Sequence, residues 1–125
     1  MEHATKVDFV TAIKARTKKL VLDSIRFYQS LPKTEEARII GRQFIRSASS
    51  VGANYRAACR SRSKAEFYAK LSIVVEEADE TAFWIEILTE SNITDSFNAQ
   101  PLLKEVNEIL AIVAKARKTL STNKQ

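Results

Sequence analysis

Only two prolines and two glycines interrupt this chain of 125 residues: Pro32, Pro101, Gly41 and Gly52. Folds rich in tight turns need such residues at most reversals, because proline presets φ and glycine supplies positive φ. So few breakers argue against sandwiches, barrels and turn-rich repeats. A disordered chain is also excluded, since 45% of the residues are hydrophobic and apolar content of that size drives collapse. The expectation is an all-α protein with one domain over residues 1–125, long enough for a single core.

The spacing of apolar residues predicts four helices. In the first, over about 8–31, Val10, Ile13, Thr17, Leu20, Ser24, Phe27 and Leu31 step by three and four, one face of a helix. Pro32 ends it, because the residue before proline avoids helical geometry. The second, over 34–60, has Thr34 as N-cap and a core stripe of Ala37, Ile40, Phe44, Ala48, Val51, Tyr55 and Ala58. Gly41, Ser47, Ser49, Ser50, Gly52 and Ala53 are small and allow close approach of another helix. The third, over 63–91, opens on a capping box, Ser63-Lys64-Ala65-Glu66, and carries Phe67, Leu71, Val74, Ala78, Thr81 or Ala82, Ile85 and Leu88. The fourth, over 98–120, takes Asn98 as cap and places Pro101 in the first turn. Its stripe is Leu103, Val106, Leu110, Val113 and Arg117, widened by Leu102, Ile109, Ile112 and Ala116. The tail Ser121–Gln125 is expected to fray. Short connections then imply an antiparallel up-down-up-down four-helix bundle.

The third helix has more apolar residues than one stripe requires. Ile73, Val75, Phe83, Trp84 and Ile87 lie outside it, and Ile73, Glu80, Trp84 and Ile87 share one flank. Surplus of this kind marks an association surface, so a subunit interface through Ile73, Glu77, Glu80, Trp84 and Ile87 is expected.

Charge is segregated along the chain. Residues 1–64 hold 14 Lys/Arg and 5 Asp/Glu, a net +9; residues 65–100 hold 1 and 8, a net −7; the remainder carries +3. Within the basic part, Arg38, Arg42, Arg46, Ser49, Ala53, Arg56 and Arg60 form one continuous stripe of the second helix, opposite its core face. Arg62 and Lys64 extend it into the following turn. Guanidinium forks match phosphate oxygens, so Arg38, Arg42, Arg46, Arg56, Arg60 and Arg62 are candidate RNA or DNA contacts. The bland alternative is a solvated face, or arginines paired with the acids of the third helix.

Catalytic and metal chemistry finds little material. A di-metal carboxylate bundle needs Glu-x-x-His on paired helices, and Glu77-x-x-Glu80 has no histidine in reach. The one histidine, His3, precedes every arginine, so the Arg-then-His signature of helical-bundle nucleases cannot be assembled. Cys59 lies between Arg56 and Arg60, yet has no histidine base to activate it and reads as a small buried filler. Phosphate loops need glycine runs that are missing. No enzyme activity, cofactor or metal is expected. The opening residues have no signal-peptide core. Nor does any run approach the roughly 18 apolar residues of a membrane span. The expected location is the cytoplasm.

One stretch is more specific than composition. Arg42-Gln43-Phe44-Ile45-Arg46-Ser47-Ala48-Ser49-Ser50-Val51-Gly52-Ala53-Asn54-Tyr55-Arg56 continues in Arg62-Ser63-Lys64-Ala65-Glu66-Phe67, Lys70-Leu71 and Ile73. Glu77-Ala78-Asp79-Glu80-Thr81 and Trp84-Ile85-Glu86-Ile87-Leu88 follow. This order resembles the bacterial four-helix-bundle family named for proteins encoded in 23S rRNA intervening sequences, also called S23 ribosomal protein-like. The likeness spans about residues 15–93.

The resemblance implies homopentameric rings of antiparallel bundles, with a biochemical role that is mostly unassigned. It also implies kinship with basic pentameric accessory proteins of retroelements, which associate with nucleic acid and a reverse transcriptase. By motif position, Arg46, Ser50 and Asn54 are the family's polar residues in the second helix, and Glu66, Glu77, Glu80 and Trp84 those of the third. Relatives often carry an acid soon after the Asn, where this chain has Ala57 and Ala58. Two function classes follow: a nucleic-acid-binding oligomer, or an oligomeric protein scaffold whose arginines are neutralised in subunit contacts.

Overall fold

In the computed structural model, the backbone is described for residues 2–123 and the side chains for residues 8–120. Four helices account for nearly all of it: α1 (Glu2–Gln29), α2 (Glu35–Cys59), α3 (Lys64–Glu90) and α4 (Ser96–Asn123). No strand occurs among the described residues. Each helix packs on two others in a cycle, α1 on α2, α2 on α3, α3 on α4 and α4 on α1. The α2–α3 contact is the most extensive and the α1–α4 contact the least.

The helix ends follow local chemistry. Thr34 Oγ1 accepts from the Ala37 amide at 3.3 Å, and Ser63 Oγ accepts from the Glu66 amide at 3.1 Å. Both caps satisfy an amide that the first turn leaves without a partner. Asn92 closes α3 in the left-handed region, with φ of 65°, a conformation asparagine tolerates better than most residues.

Four boundaries differ from the sequence expectation by two residues or more. α1 begins at Glu2 rather than near Asp8. It ends at Gln29 because the amides of Ser30 and Leu31 turn back onto Phe27 and Tyr28 in a tighter last turn. α4 begins at Ser96, since Asp95 supplies the cap: its Oδ1 accepts from the Asn98 amide at 2.8 Å. A carboxylate suits the positive end of a helix better than the neutral Asn98 amide. Pro101 therefore falls in the second turn, where its ring withdraws the donor due to the Phe97 carbonyl. The backbone of α4 runs on to Asn123. The side chains of the expected frayed tail, 121–125, and of His3 lie outside the described residues.

The core follows the expected stripes in three helices except at Val10, Ile40 and Phe67, which are half-buried at its margin. Ile13, Thr17, Leu20, Ser24 and Phe27 are buried from α1, and Leu31 just beyond its end; Phe44, Ala48, Val51 and Tyr55 from α2; Leu71, Val74, Ala78, Ile85 and Leu88 from α3. Burying each large side chain contributes about 1.5–3 kcal/mol. Phe27 meets Phe44 edge to face, with centroids 5.4 Å apart.

In α4 the buried face is Ala99, Leu102, Val106, Ile109 and Val113, whereas Leu103 and Leu110 are half-buried. The face is rotated by one position from the expected stripe. Both stripes share Val106 and Val113, so the period alone could not choose between them.

Both glycines have a packing reason. A Cβ on Gly52 would stand 2.7 Å from Val21 Cγ2 and 3.3 Å from the Thr17 carbonyl, and one on Gly41 would stand 2.9 Å from the Tyr28 ring. Ser47 and Ala48 are fully buried. Hence Gly41, Gly52, Ser47 and Ala48 serve packing between helices of the bundle.

Candidate nucleic-acid interface

The outer face of α2 is basic because its inner face is apolar or small. The arginines fall at the helical positions left over. Arg42, Arg56 and Arg60 are exposed, and none makes an ion pair or side-chain hydrogen bond with a described residue. Arg38 is exposed and folds back on the helix start, donating to the carbonyls of Lys33 and Thr34 at 3.2 and 3.4 Å. Arg62 is almost fully exposed, with Nε 4.0 Å from Glu66, a pair that water largely screens.

Arg46 stands apart from these five. Its Nη1 donates to Glu77 at 3.2 Å, and its Nη2 donates to Glu80. Glu80 also accepts the indole Nε1–H of Trp84 at 2.9 Å. The guanidinium is held further into its charged form, chiefly by the hydrogen bond to Glu80. The Glu80 carboxyl is held below the usual carboxylate range, first by the Trp84 donor and then by Arg46. The cluster joins α2 to α3 across 31 and 34 residues of sequence.

Immediately beneath, Thr81 Oγ1 lies 2.9 Å from Ser47 Oγ in a buried hydroxyl pair. Sequence reasoning missed that pair, although both residues sit on core-facing positions. The other motif residues act locally. Asn54 Nδ2 donates to the Ser50 carbonyl at 2.9 Å and to Ser50 Oγ at 2.8 Å, and the Glu66 amide is capped by Ser63.

The apolar flank of α3 is partly covered within the chain. Trp84 and Ile87 are half-buried, while Ile73 is 36% and Phe83 50% exposed. Phe83 packs edge to face on Trp84, with centroids 4.9 Å apart. Glu77 and Glu80, grouped with that flank in the sequence, turn toward Arg46.

Other reactive groups are quiet. Burial pushes the Cys59 thiol up, against a smaller opposing effect from Lys14, and burial likewise pushes the Tyr55 phenol up. Among the described residues, no three His, Cys, Asp or Glu side chains converge. No helix among them is long and apolar enough to cross a membrane.

The chain is similar to a solved structure from Bacteroides thetaiotaomicron VPI-5482, a protein of unknown function from the S23 ribosomal protein family. The two share 26% identity with a TM-score of 0.81, over 87% of this chain and 97% of that one. No curated protein matches the chain. The family described as 23S rRNA-intervening sequence protein matches residues 11–115. With the match running from α1 into α4, the chain belongs to the 23S rRNA-intervening sequence protein family.

Proposed function

We propose that this chain is an antiparallel up-down-up-down bundle that assembles into a ring-shaped homo-oligomer, a pentamer, and binds RNA or DNA phosphates without being an enzyme. The packing register supports the antiparallel reading for the first pair: Gly41, early in α2, lies against Tyr28 and Leu31, and Gly52, later in α2, against Thr17 and Val21. A ring needs two different patches per subunit. The flank of Ile73, Phe83, Trp84 and Ile87 is the candidate for one of them.

The observation that carries the binding reading is the row of exposed arginines along α2 and the turn after it, with no acidic partner except at its edge: Arg38, Arg42, Arg56, Arg60 and Arg62. Arg46 is better read as the residue that fixes α2 on α3. Repeating the row around a ring makes weak phosphate contacts multivalent. Contacts of this type depend strongly on salt and carry no sequence information.

A second reading is an oligomeric scaffold or accessory subunit, for example of a reverse transcriptase, with no direct nucleic-acid role. The Arg46–Glu77–Glu80 cluster favours it, because one arginine is already neutralised by α3. Light-scattering mass after gel filtration, with and without a structured RNA at about 50 and 500 mM salt, separates the two. A particle near five chain masses that captures RNA only at low salt supports the first reading. The same particle ignoring RNA at both salts leaves the scaffold. Charge reversal at Arg38 and Arg42 should abolish capture and keep the particle intact.

A further inference from the structure

The basic face does not stop at α2. α1 packs so closely beside Gly52 that Thr17 and Val21 touch that position. This register brings the next exposed residues of α1 alongside the second half of the arginine row. Lys14 is near enough to Cys59 for its charge to act on the thiol. Lys18 lies one turn further along the same edge of α1. Both lysines are exposed, and neither ammonium group has an ion pair or hydrogen bond with a described residue. Lys14 and Lys18 of α1 with Arg56 and Arg60 of α2 thus form a two-helix group of four free cations, and Arg38 and Arg42 form a second group toward the other end of α2. From Arg38 to Arg60 the row spans about 33 Å at 1.5 Å per residue. That is close to the roughly 34–36 Å of one duplex turn.

The face also offers little of what an unpaired strand requires, since the ring nearest Arg38, Tyr28 at the α1–α2 seam, is half-buried against Gly41. Single-stranded nucleic acid is held by aromatic rings on which bases stack. The exposed aromatic side chains are Phe9, Phe83 and Phe97. Phe83 belongs to α3 and Phe97 to the first turn of α4. Phe9 is nine residues before Lys18, about two and a half turns, and so on the opposite side of α1. The exposed large side chains near the lysines, Leu22 and Ile25, are aliphatic and offer no π-face.

We propose that the ligand of this face is the sugar–phosphate backbone of a nucleic-acid duplex, held jointly by Lys14 and Lys18 of α1 and Arg38, Arg42, Arg56 and Arg60 of α2. The proposal rests on the phosphate-binding reading above and adds the class of ligand and the contribution of α1.

Fluorescence anisotropy on the full chain tests it. The probes are a 20-base-pair RNA duplex, a DNA duplex of the same sequence, and the single strands of each, titrated across a salt series. The duplexes should bind at least several-fold tighter than their strands. Lys14→Gln/Lys18→Gln should flatten the slope of log affinity against log salt by about 1 per lysine. Lys104→Gln/Lys115→Gln, with the same charge change on α4, should leave the slope close to that of the unaltered protein. Helical circular dichroism and particle mass confirm that both variants fold.

Single strands binding as tightly as duplexes, or the α1 and α4 variants behaving alike, overturn this inference while leaving phosphate binding by the arginines in place. No binding of any probe by the unaltered protein removes the phosphate reading itself, and this inference with it.

Discussion

Arg46 of α2 and Glu80 of α3 are joined at the surface of the bundle, and the Glu80 oxygen that receives the guanidinium also receives the Trp84 indole N–H. One carboxylate oxygen thereby orients an arginine from one helix and an aromatic ring from the other. The arrangement removes Arg46 from the free cations and sets the edge of the apolar flank at Trp84.

This relationship ties stability to pH. Glu80 is held below the usual carboxylate range in the folded protein. A group with a lowered folded value contributes stability that is present above its unfolded value and lost as pH falls through the folded one. Glu80→Gln should therefore lower the urea midpoint at neutral pH. The gap from the unaltered protein should close as pH drops below the carboxylate range. Half the Arg46 side chain is exposed, so screening limits the neutral-pH effect to about 1 kcal/mol. Urea titrations followed by circular dichroism at several pH values check this; a gap that persists in acid means Glu80 is not linked to folding.

Gly52 marks the close approach of α1 and α2. Alanine would improve helix propensity by about 1 kcal/mol but place a methyl 2.7 Å from Val21 Cγ2 and 3.3 Å from the Thr17 carbonyl. Valine is stiff at χ1 and a backbone carbonyl cannot swing aside, and overpacking costs about 1–3 kcal/mol. Gly52→Ala should destabilise the protein on balance. In a Val21→Ala background the same change should cost clearly less, because only the 3.3 Å contact with the Thr17 carbonyl remains. A double-mutant cycle by thermal unfolding reads the coupling between the two positions.

The rotation of α4 is testable by truncation. Ile109 is fully buried, whereas its neighbour Leu110 is half-buried. Ile109→Ala should cost about 2–5 kcal/mol, in the range of large-to-small core changes, and Leu110→Ala clearly less. Equal losses in denaturant unfolding would mean that the two positions share the interior.

Cys59 should react slowly. Burial favours the neutral thiol, and the thiolate is the nucleophile. Modification by a soluble disulfide reagent should be slower in the folded protein than in urea. The difference should be largest near the ordinary thiol range, about pH 8.5, where an unburied cysteine is already half ionised. Comparable rates in both states would show that the thiol is as accessible as in a free peptide.

Much of this fold was legible in the residues themselves. Helix count, the caps at Thr34 and Ser63, and the buried faces of α1, α2 and α3 all follow from local rules. A three-four spacing of apolar residues defines a face, and a hydroxyl before it satisfies the first amides. The arginine stripe was equally visible, because it is the complement of the core stripe on the same helix.

What the sequence could not decide were relations between helices. Two overlapping stripes compete in α4, and only contact with α1 and α3 selects the one containing Leu102 and Ile109. Six arginines look alike in a row. The position of α3 alone distinguishes Arg46, by bringing Glu77 and Glu80 within reach, from Arg42, Arg56 and Arg60. Likewise Lys14 and Lys18, unremarked on their own helix, join the basic face because Gly52 lets α1 approach. Periodicity within a helix is a one-dimensional property, set by 3.6 residues per turn; which charges meet is set by rotation and register between helices, and those exist only once the core has packed.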